Sequence, residues 1–313
     1  MNRFQANALL LSAAIIWGTT FVAQRVGMEY LGPFTYTGIR FALGSLALLP
    51  LLVLSRDERV ATDNIVSPPG RKKIVFGIAL AGSILFAGIS LQQVGLVYTT
   101  AGKSGFITSL YVVIVPFLGL FFHQRTTMGT WIGVMLAAAG LYLLSVTEQF
   151  SIALGDLLNL IGAFFWAGHV LVIAWLSPVI RAVKLAFLQF AVCALLSLIV
   201  AFLIETTTWQ AIADAALPIF YGGIVSVGVG FTLQVVAQRE AHPAHAAILL
   251  SMEALFAAVG GWIILGETLS FRGMVGCLLM LTGMLVSQLW EVMKGGNRTE
   301  NRTQKQDPVE RDN

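Results

Sequence analysis

Ten apolar runs of about 20 residues each, separated by short polar breaks, constrain this 313-residue chain more than any other feature. They lie at residues 6–27, 33–54, 74–97, 101–122, 128–146, 156–177, 184–204, 217–237, 245–265 and 271–291. A helix needs about 20 apolar residues to cross the hydrocarbon core of a bilayer. Lipid offers no partner to an exposed backbone amide, so spans outside a closed barrel must be helices. The expectation is an all-α integral membrane protein of ten transmembrane helices. Composition agrees: only 11% of residues are charged and 57% are hydrophobic, whereas a soluble domain carries about 25% charged residues to cover its surface. The breaks hold turn and charge signals, such as Pro68-Pro69-Gly70 and the stretch from Gly266 to Arg272. The shortest, at Thr99, is where two neighbouring spans are easiest to misjoin.

The same composition removes several function classes. The net charge of +3 comes from residues scattered through loops and tail, so nucleic acid has no basic patch to meet. Cys193 and Cys277 both sit inside apolar runs, which leaves neither a disulfide framework nor a CxxC metal site. The first run is longer than the 7–15-residue core of a signal peptide and no A-x-A site closes it, so it reads as the first span. Gly102-Lys103-Ser104 mimics the end of a phosphate-binding loop, but Val97 stands where the first glycine is required.

Fifteen of the 19 Lys and Arg residues fall on one side when the spans alternate in direction, while Arg25, Lys103 and Arg272 fall on the other. Positive loops stay in the cytoplasm, which predicts both termini inside. Residues 292–313 are almost wholly polar and read as a disordered cytoplasmic tail. The sequons at Asn297 and Asn301 are then on the side where glycans are not added.

The chain repeats itself. Trp17 and Arg40 are 23 residues apart, as are Trp166 and Gln189, at an offset of 149. Leu91-Gln92 matches Leu233-Gln234 at an offset of 142, and Gln124, Gly133 and Gly140 match Glu267, Gly276 and Gly283 at 143. These ordered matches indicate a duplicated five-helix unit: residues 1–147, an inverted copy at 148–291, and the tail 292–313. Five is odd, so the second copy enters the membrane from the opposite side. Such inverted repeats allow a central site to open alternately to either face, whereas solenoid stacking needs several short units.

At these positions the sequence resembles the drug/metabolite transporter superfamily, specifically its EamA-type exporters. Trp17-Gly18-Thr19-Thr20-Phe21-Val22 is similar to the family's first-helix motif and Arg40-Phe41 to its second. The run from Phe106 to Pro116 resembles the fourth-helix pattern, and Leu265-Gly266-Glu267-Thr268-Leu269 the motif joining helices nine and ten. Gln124 departs from the family's Glu and Ala254 from its Pro; the second departure implies a straighter ninth helix. The resemblance implies a ten-helix fold whose central cavity is lined by helices 1, 3, 4, 6, 8 and 9. It also implies export of amino acids, other metabolites or toxic compounds.

Ionisable groups inside spans are costly and point to function by default. At 1.5 Å per residue, Glu253 lies about 3 Å from the middle of its span, His169 about 4 Å and Arg40 about 5 Å. Glu253 suits a substrate amine or a coupling proton; the alternative is a structural partner for Arg40 or for a polar neighbour. A guanidinium such as that of Arg40 satisfies carbonyls and locks helices together, or it meets substrate. His169 either titrates or bonds across a helix contact. Trp17, Trp166 and Tyr111 stand near span midpoints rather than at the interfacial belt; they line a cavity for an aromatic or amphipathic ligand, or simply pack. Gln92 and Gln234, at equivalent positions of the two copies, are substrate contacts or interhelical bonds. The glycines at 129, 133, 222, 223, 228, 230, 260 and 261 read as close-packing sites.

The expected function is secondary transport of a small metabolite or drug-like compound across the cytoplasmic (inner) membrane. Export by alternating access, with proton coupling and without ATP or another cofactor or metal, is the expected mode. The alternative is a membrane-embedded enzyme acting on lipid-linked substrates. It would need an acid/base or metal cluster near an interface, and the chain has four His and no such cluster.

Overall fold

The computed structural model describes residues 3–54, 70–119, 128–145, 152–176, 179–238 and 249–303. The expectations placed on Arg56, Arg59, Gln124, Arg125, Arg239 and residues 304–313 lie outside the described residues. Among the described residues six helices are long and apolar enough to cross a membrane, and four shorter apolar helices accompany them.

In chain order the elements are α1 (Arg3–Gly27), α2 (Pro33–Ala47), α3 (Leu49–Leu54), α4 (Arg71–Val97), α5 (Ala101–Ser109), α6 (Tyr111–Gly119) and α7 (Met128–Ser145). There follow α8 (Leu154–Leu176), α9 (Ala182–Ile204), a short α10 (Trp209–Asp214) and α11 (Ala216–Phe220). A π-helical segment, Tyr221–Gly230, leads into α12 (Phe231–Gln238); α13 (Glu253–Leu265) and α14 (Phe271–Thr303) complete the chain. The break at Thr99 is genuine: Thr100 caps α5 by accepting from the Lys103 amide at 3.2 Å. The last helix runs on through Thr303, into the stretch whose polar composition predicts disorder. Extending an existing helix avoids the unfavourable nucleation step, so α14 propagates beyond its apolar part.

Three apolar spans are interrupted where the sequence pattern is continuous. Between α2 and α3 the Leu48 amide bonds back to Ser45, and between α5 and α6 the Leu110 amide bonds back to Ile107, each three residues away. Just before α13 the Met252 amide makes the same kind of bond to Leu249. Such tightened turns break the i→i−4 ladder. The ninth span is therefore interrupted at Met252, against the straight helix that Ala254 in place of proline implies.

Helix pairing follows a regular pattern. α2 packs on α9, α7 on α14 and α5 on α13; α4 packs on α8, and α1 on the π-helical segment and α13. At the α7–α14 seam glycines face each other. A Cβ built at Gly140 would lie 2.5 Å from the Gly276 carbonyl oxygen, and one at Gly276 2.7 Å from that of Gly140. The backbones of α7 and α14 thus touch directly, as small residues allow in lipid, where packing rather than water exclusion holds helices together. Facing outward are large apolar side chains such as Phe202, 88% exposed, and Met135, 70% exposed, a surface suited to acyl chains.

Two helices borrow their N-terminal caps from far along the chain. The first turns of α2 and α5 contain no acidic residue, although the free amides and positive dipole end of a helix favour one. Glu205, just past α9, accepts from the Phe34 amide at 2.9 Å and from the Thr35 amide and hydroxyl at 2.7 Å each. Glu267 accepts from the Ala101 amide at 2.8 Å and the Gly102 amide at 3.2 Å. Gly266 makes the second cap possible. It ends α13 with φ +64°, a left-handed conformation open to glycine, and so turns Glu267 back under the helix toward α5.

Candidate functional site

Among the described residues, two groups of polar side chains inside the bundle hold most of the residues singled out in the sequence. The first crosses four helices. The Trp166 indole of α8 donates to the Gln92 amide oxygen of α4 at 3.0 Å, and Gln92 donates to the Gln24 amide oxygen of α1 at 3.2 Å. Arg40 of α2 reaches the same oxygen at 3.5 Å. All but Trp166 are almost fully buried. Trp166 also stands edge-on to His169, with ring centroids 5.9 Å apart. His169 Nε2 bonds the Gln189 amide oxygen at 2.7 Å, so this ring carries its proton on Nε2 and serves a bond between α8 and α9.

The second group surrounds Glu253, buried at the start of α13. Ser109, the last residue of α5, donates to one carboxylate oxygen at 3.3 Å, and Tyr111 at the start of α6 stands beside the same carboxylate. Arg40 takes no part: among the described residues the one ion pair is Lys103 with Asp156, at 3.6 Å. The structural pairing of Glu253 with Arg40 weighed from the sequence is therefore not formed.

Trp17 does not mirror Trp166. Its indole donates to the Ser226 carbonyl of the π-helical segment at 3.4 Å and packs on Phe231 at 4.7 Å. Gln234 stays half-buried on α12. Among the residues singled out in the sequence, the fold thus joins Trp166, Gln92, His169 and, through Gln24, Arg40. It sets Tyr111 beside Glu253 and leaves Trp17 and Gln234 apart. Sequence reasoning overlooked Gln24 and Ser109. Gln24 carried a signal, an amide in an otherwise apolar helix, that the emphasis on charged groups passed over.

The side of the bundle that holds the two borrowed caps is held by further polar bonds. Arg25 donates to the Leu96 and Val97 carbonyls at the end of α4, at 2.7 and 3.0 Å. Asp156 accepts from the Thr99 hydroxyl at 2.6 Å beside Lys103. A cavity of about 300 Å³ opens here between Thr100, Ala258, Trp262 and Glu267.

The family model described as the EamA-like transporter family matches this chain twice, over residues 5–146 and 153–288. The chain belongs to the EamA-like transporter family. This EamA-like protein is 30% identical over 291 residues to an uncharacterized transporter of Archaeoglobus fulgidus, covering 92% of this chain and 87% of the relative. It is similar to the uncharacterized transporter YoaV of Bacillus subtilis at 20% identity, covering 89% and 94%. Half of the chain matches the inner membrane transporter YedA of Escherichia coli K12 at 30% identity, over 49% of that protein. A solved crystal structure shares the fold, with a TM-score of 0.65 at 19% identity over 92% of this chain and 99% of the other. The EamA-like chain is a multi-pass membrane transporter.

Proposed function

We propose that this EamA-like protein is a secondary transporter that exports a small metabolite across the cytoplasmic membrane by alternating access. Its two five-helix halves are inverted relative to each other, it crosses the bilayer ten times and both termini lie in the cytoplasm.

The observation that carries this reading is the meeting of Tyr111 and Glu253. They are 142 residues apart, the offset that relates Gln92 to Gln234, so they occupy equivalent positions of the two copies. Equivalent residues touch where a two-fold axis passes, and that axis is where an inverted-repeat transporter keeps its site. The helix pairings support the same arrangement. Advancing each span by five turns the contact of α4 with α8 into that of the π-helical segment with α1, while α2–α9, α5–α13 and α7–α14 map onto themselves. The halves also differ, since Trp166 holds Gln92 whereas Trp17 holds a backbone carbonyl. Alternating access relies on two similar halves in dissimilar conformations.

Glu253 is the coupling residue in this reading. A carboxylate with a hydroxyl donor beside it can take up a proton without rearranging its helix, and proton and substrate then exchange access to the same seam. The test is flux in liposomes containing purified protein, with and without a pH gradient. Glu253→Gln keeps shape and should abolish gradient-driven flux while the protein stays folded. Flux like that of the parent protein, still responsive to the gradient, removes Glu253 from coupling.

A further inference from the structure

Arg40 is buried to within 2% of full enclosure, yet its bonding is thin. Among the described residues one of its five guanidinium N–H donors reaches an acceptor, the Gln24 oxygen at 3.5 Å, and Nε has no partner. No carboxylate among the described residues pairs with it. A helix-lock role needs several carbonyl acceptors, and among the described residues Arg40 has the single long bond to the Gln24 side chain of α1. What surrounds it is aromatic: the guanidinium lies 5.1 Å from the Phe41 ring centre and 5.5 Å from that of Tyr36.

The neighbouring wall is the π-helical segment. A Cβ at Gly222 would fall 2.8 Å from the Tyr36 hydroxyl and 3.2 Å from Arg40 Cδ, so glycine is what lets the guanidinium lie against this wall. π-helical turns are rare and concentrate at functional sites. On the other flank, Gln24 and Gln92 present amides, and Trp166 closes the row with an indole N–H. Gln24 uses its oxygen for Arg40 and Gln92, and its own NH2 bonds to no described residue. The corner is rich in donors and short of acceptors.

We propose that Arg40 and Gln24 form the subsite for the carboxylate of the transported molecule, so that the substrate is a small carboxylic acid anion. This rests on the transporter reading and names its substrate class. A guanidinium presents two parallel N–H donors that match a planar carboxylate edge to edge. The Gln24 NH2 supplies a further donor, and the Tyr36 and Phe41 rings exclude water from the pair.

Binding and flux test the proposal separately. Thermal unfolding of the purified full-length protein is followed with acetate, phenylacetate and L-alanine, each against its uncharged amide, acetamide, phenylacetamide or L-alaninamide held above its ammonium pKa. Sodium chloride at matched ionic strength is the baseline. At least one carboxylate should raise the unfolding midpoint with an affinity about tenfold to a hundredfold above its amide, the gain expected of charge-assisted hydrogen bonds. Arg40→Gln should erase this preference and Arg40→Lys keep part of it. The parent protein alone decides the matter if both variants misfold: no carboxylate acting above its amide or above chloride overturns the proposal. Flux of the same panel into liposomes then separates the two readings. Carriage of the amides but not the carboxylates overturns the carboxylate subsite and leaves transport standing. Arg40-dependent binding without flux of any bound carboxylate keeps the subsite and overturns transport.

Discussion

Tyr111 and Glu253, 142 residues apart in the chain, stand side by side in the fold. Each directly follows a tightened turn, at Leu110 and at Met252. The interrupted helices free these two side chains to converge, and Ser109, at the end of α5, donates its hydroxyl to the carboxylate. Arg40 belongs to the other polar group, with Gln24 and Gln92.

Double-mutant cycles should reproduce this division. The Glu253 and Tyr111 side chains are neighbours, so the effects of Glu253→Gln and Tyr111→Phe on unfolding free energy should couple by about 0.5 kcal/mol or more. Glu253→Gln combined with Arg40→Gln should be additive within about 0.5 kcal/mol, because the two share no partner. Strong coupling in the second cycle would place both charges in one network and contradict the geometry.

Glu205 should be a stability residue. Glu205→Ala removes three acceptor contacts from the start of α2, and capping losses of this kind cost about 1–2 kcal/mol. Thr35→Val removes only the hydroxyl contact and should cost less. Unfolding midpoints of purified protein measure both; an unchanged midpoint for Glu205→Ala would show that the cap adds nothing.

Gly140→Leu should separate α7 from α14. Its side chain would meet the Gly276 carbonyl and Met280 on the facing helix. A backbone cannot move aside as a flexible side chain can, so folded yield in the membrane should fall sharply. Gly70→Leu is the control, since a Cβ there meets nothing within 4 Å, and its yield should stay at the parent level.

Trp166→Phe keeps the ring and loses the bond to Gln92. Interhelical hydrogen bonds in membranes average about 0.6 kcal/mol, so the unfolding midpoint should barely move. Flux in liposomes should nevertheless drop, because Gln92 loses the donor that orients it toward Gln24. Normal flux would make the bond a packing detail.

Reporter fusions settle direction. With both termini inside, fusions after Asn313 and within residues 55–69 should report the cytoplasm, and one after Asp214 the opposite side. An external C-terminus would overturn both the charge argument and the odd number of spans per copy.

The apolar spans and their order were legible because length and hydropathy are local properties of the chain, and lipid accepts little else. Glu253, Tyr111, Trp166 and Gln92 stood out as polar or aromatic residues within apolar runs, but their partners did not. Gln24 and Ser109 resemble many amides and hydroxyls until a particular neighbour approaches them.

The amino-acid sequence by itself determined that this chain belongs to a membrane and where its long apolar stretches run. Only the tertiary structure decided that Glu253 meets Tyr111 rather than Arg40, that the eighth span widens into a π-helical turn, and that Glu205 caps a helix 171 residues away. The reason is physical. Burial in lipid depends on the average polarity of 20 consecutive residues, whereas a hydrogen bond depends on two groups coming within about 3 Å. That distance is set by which helices pack together and how far their small residues let them approach.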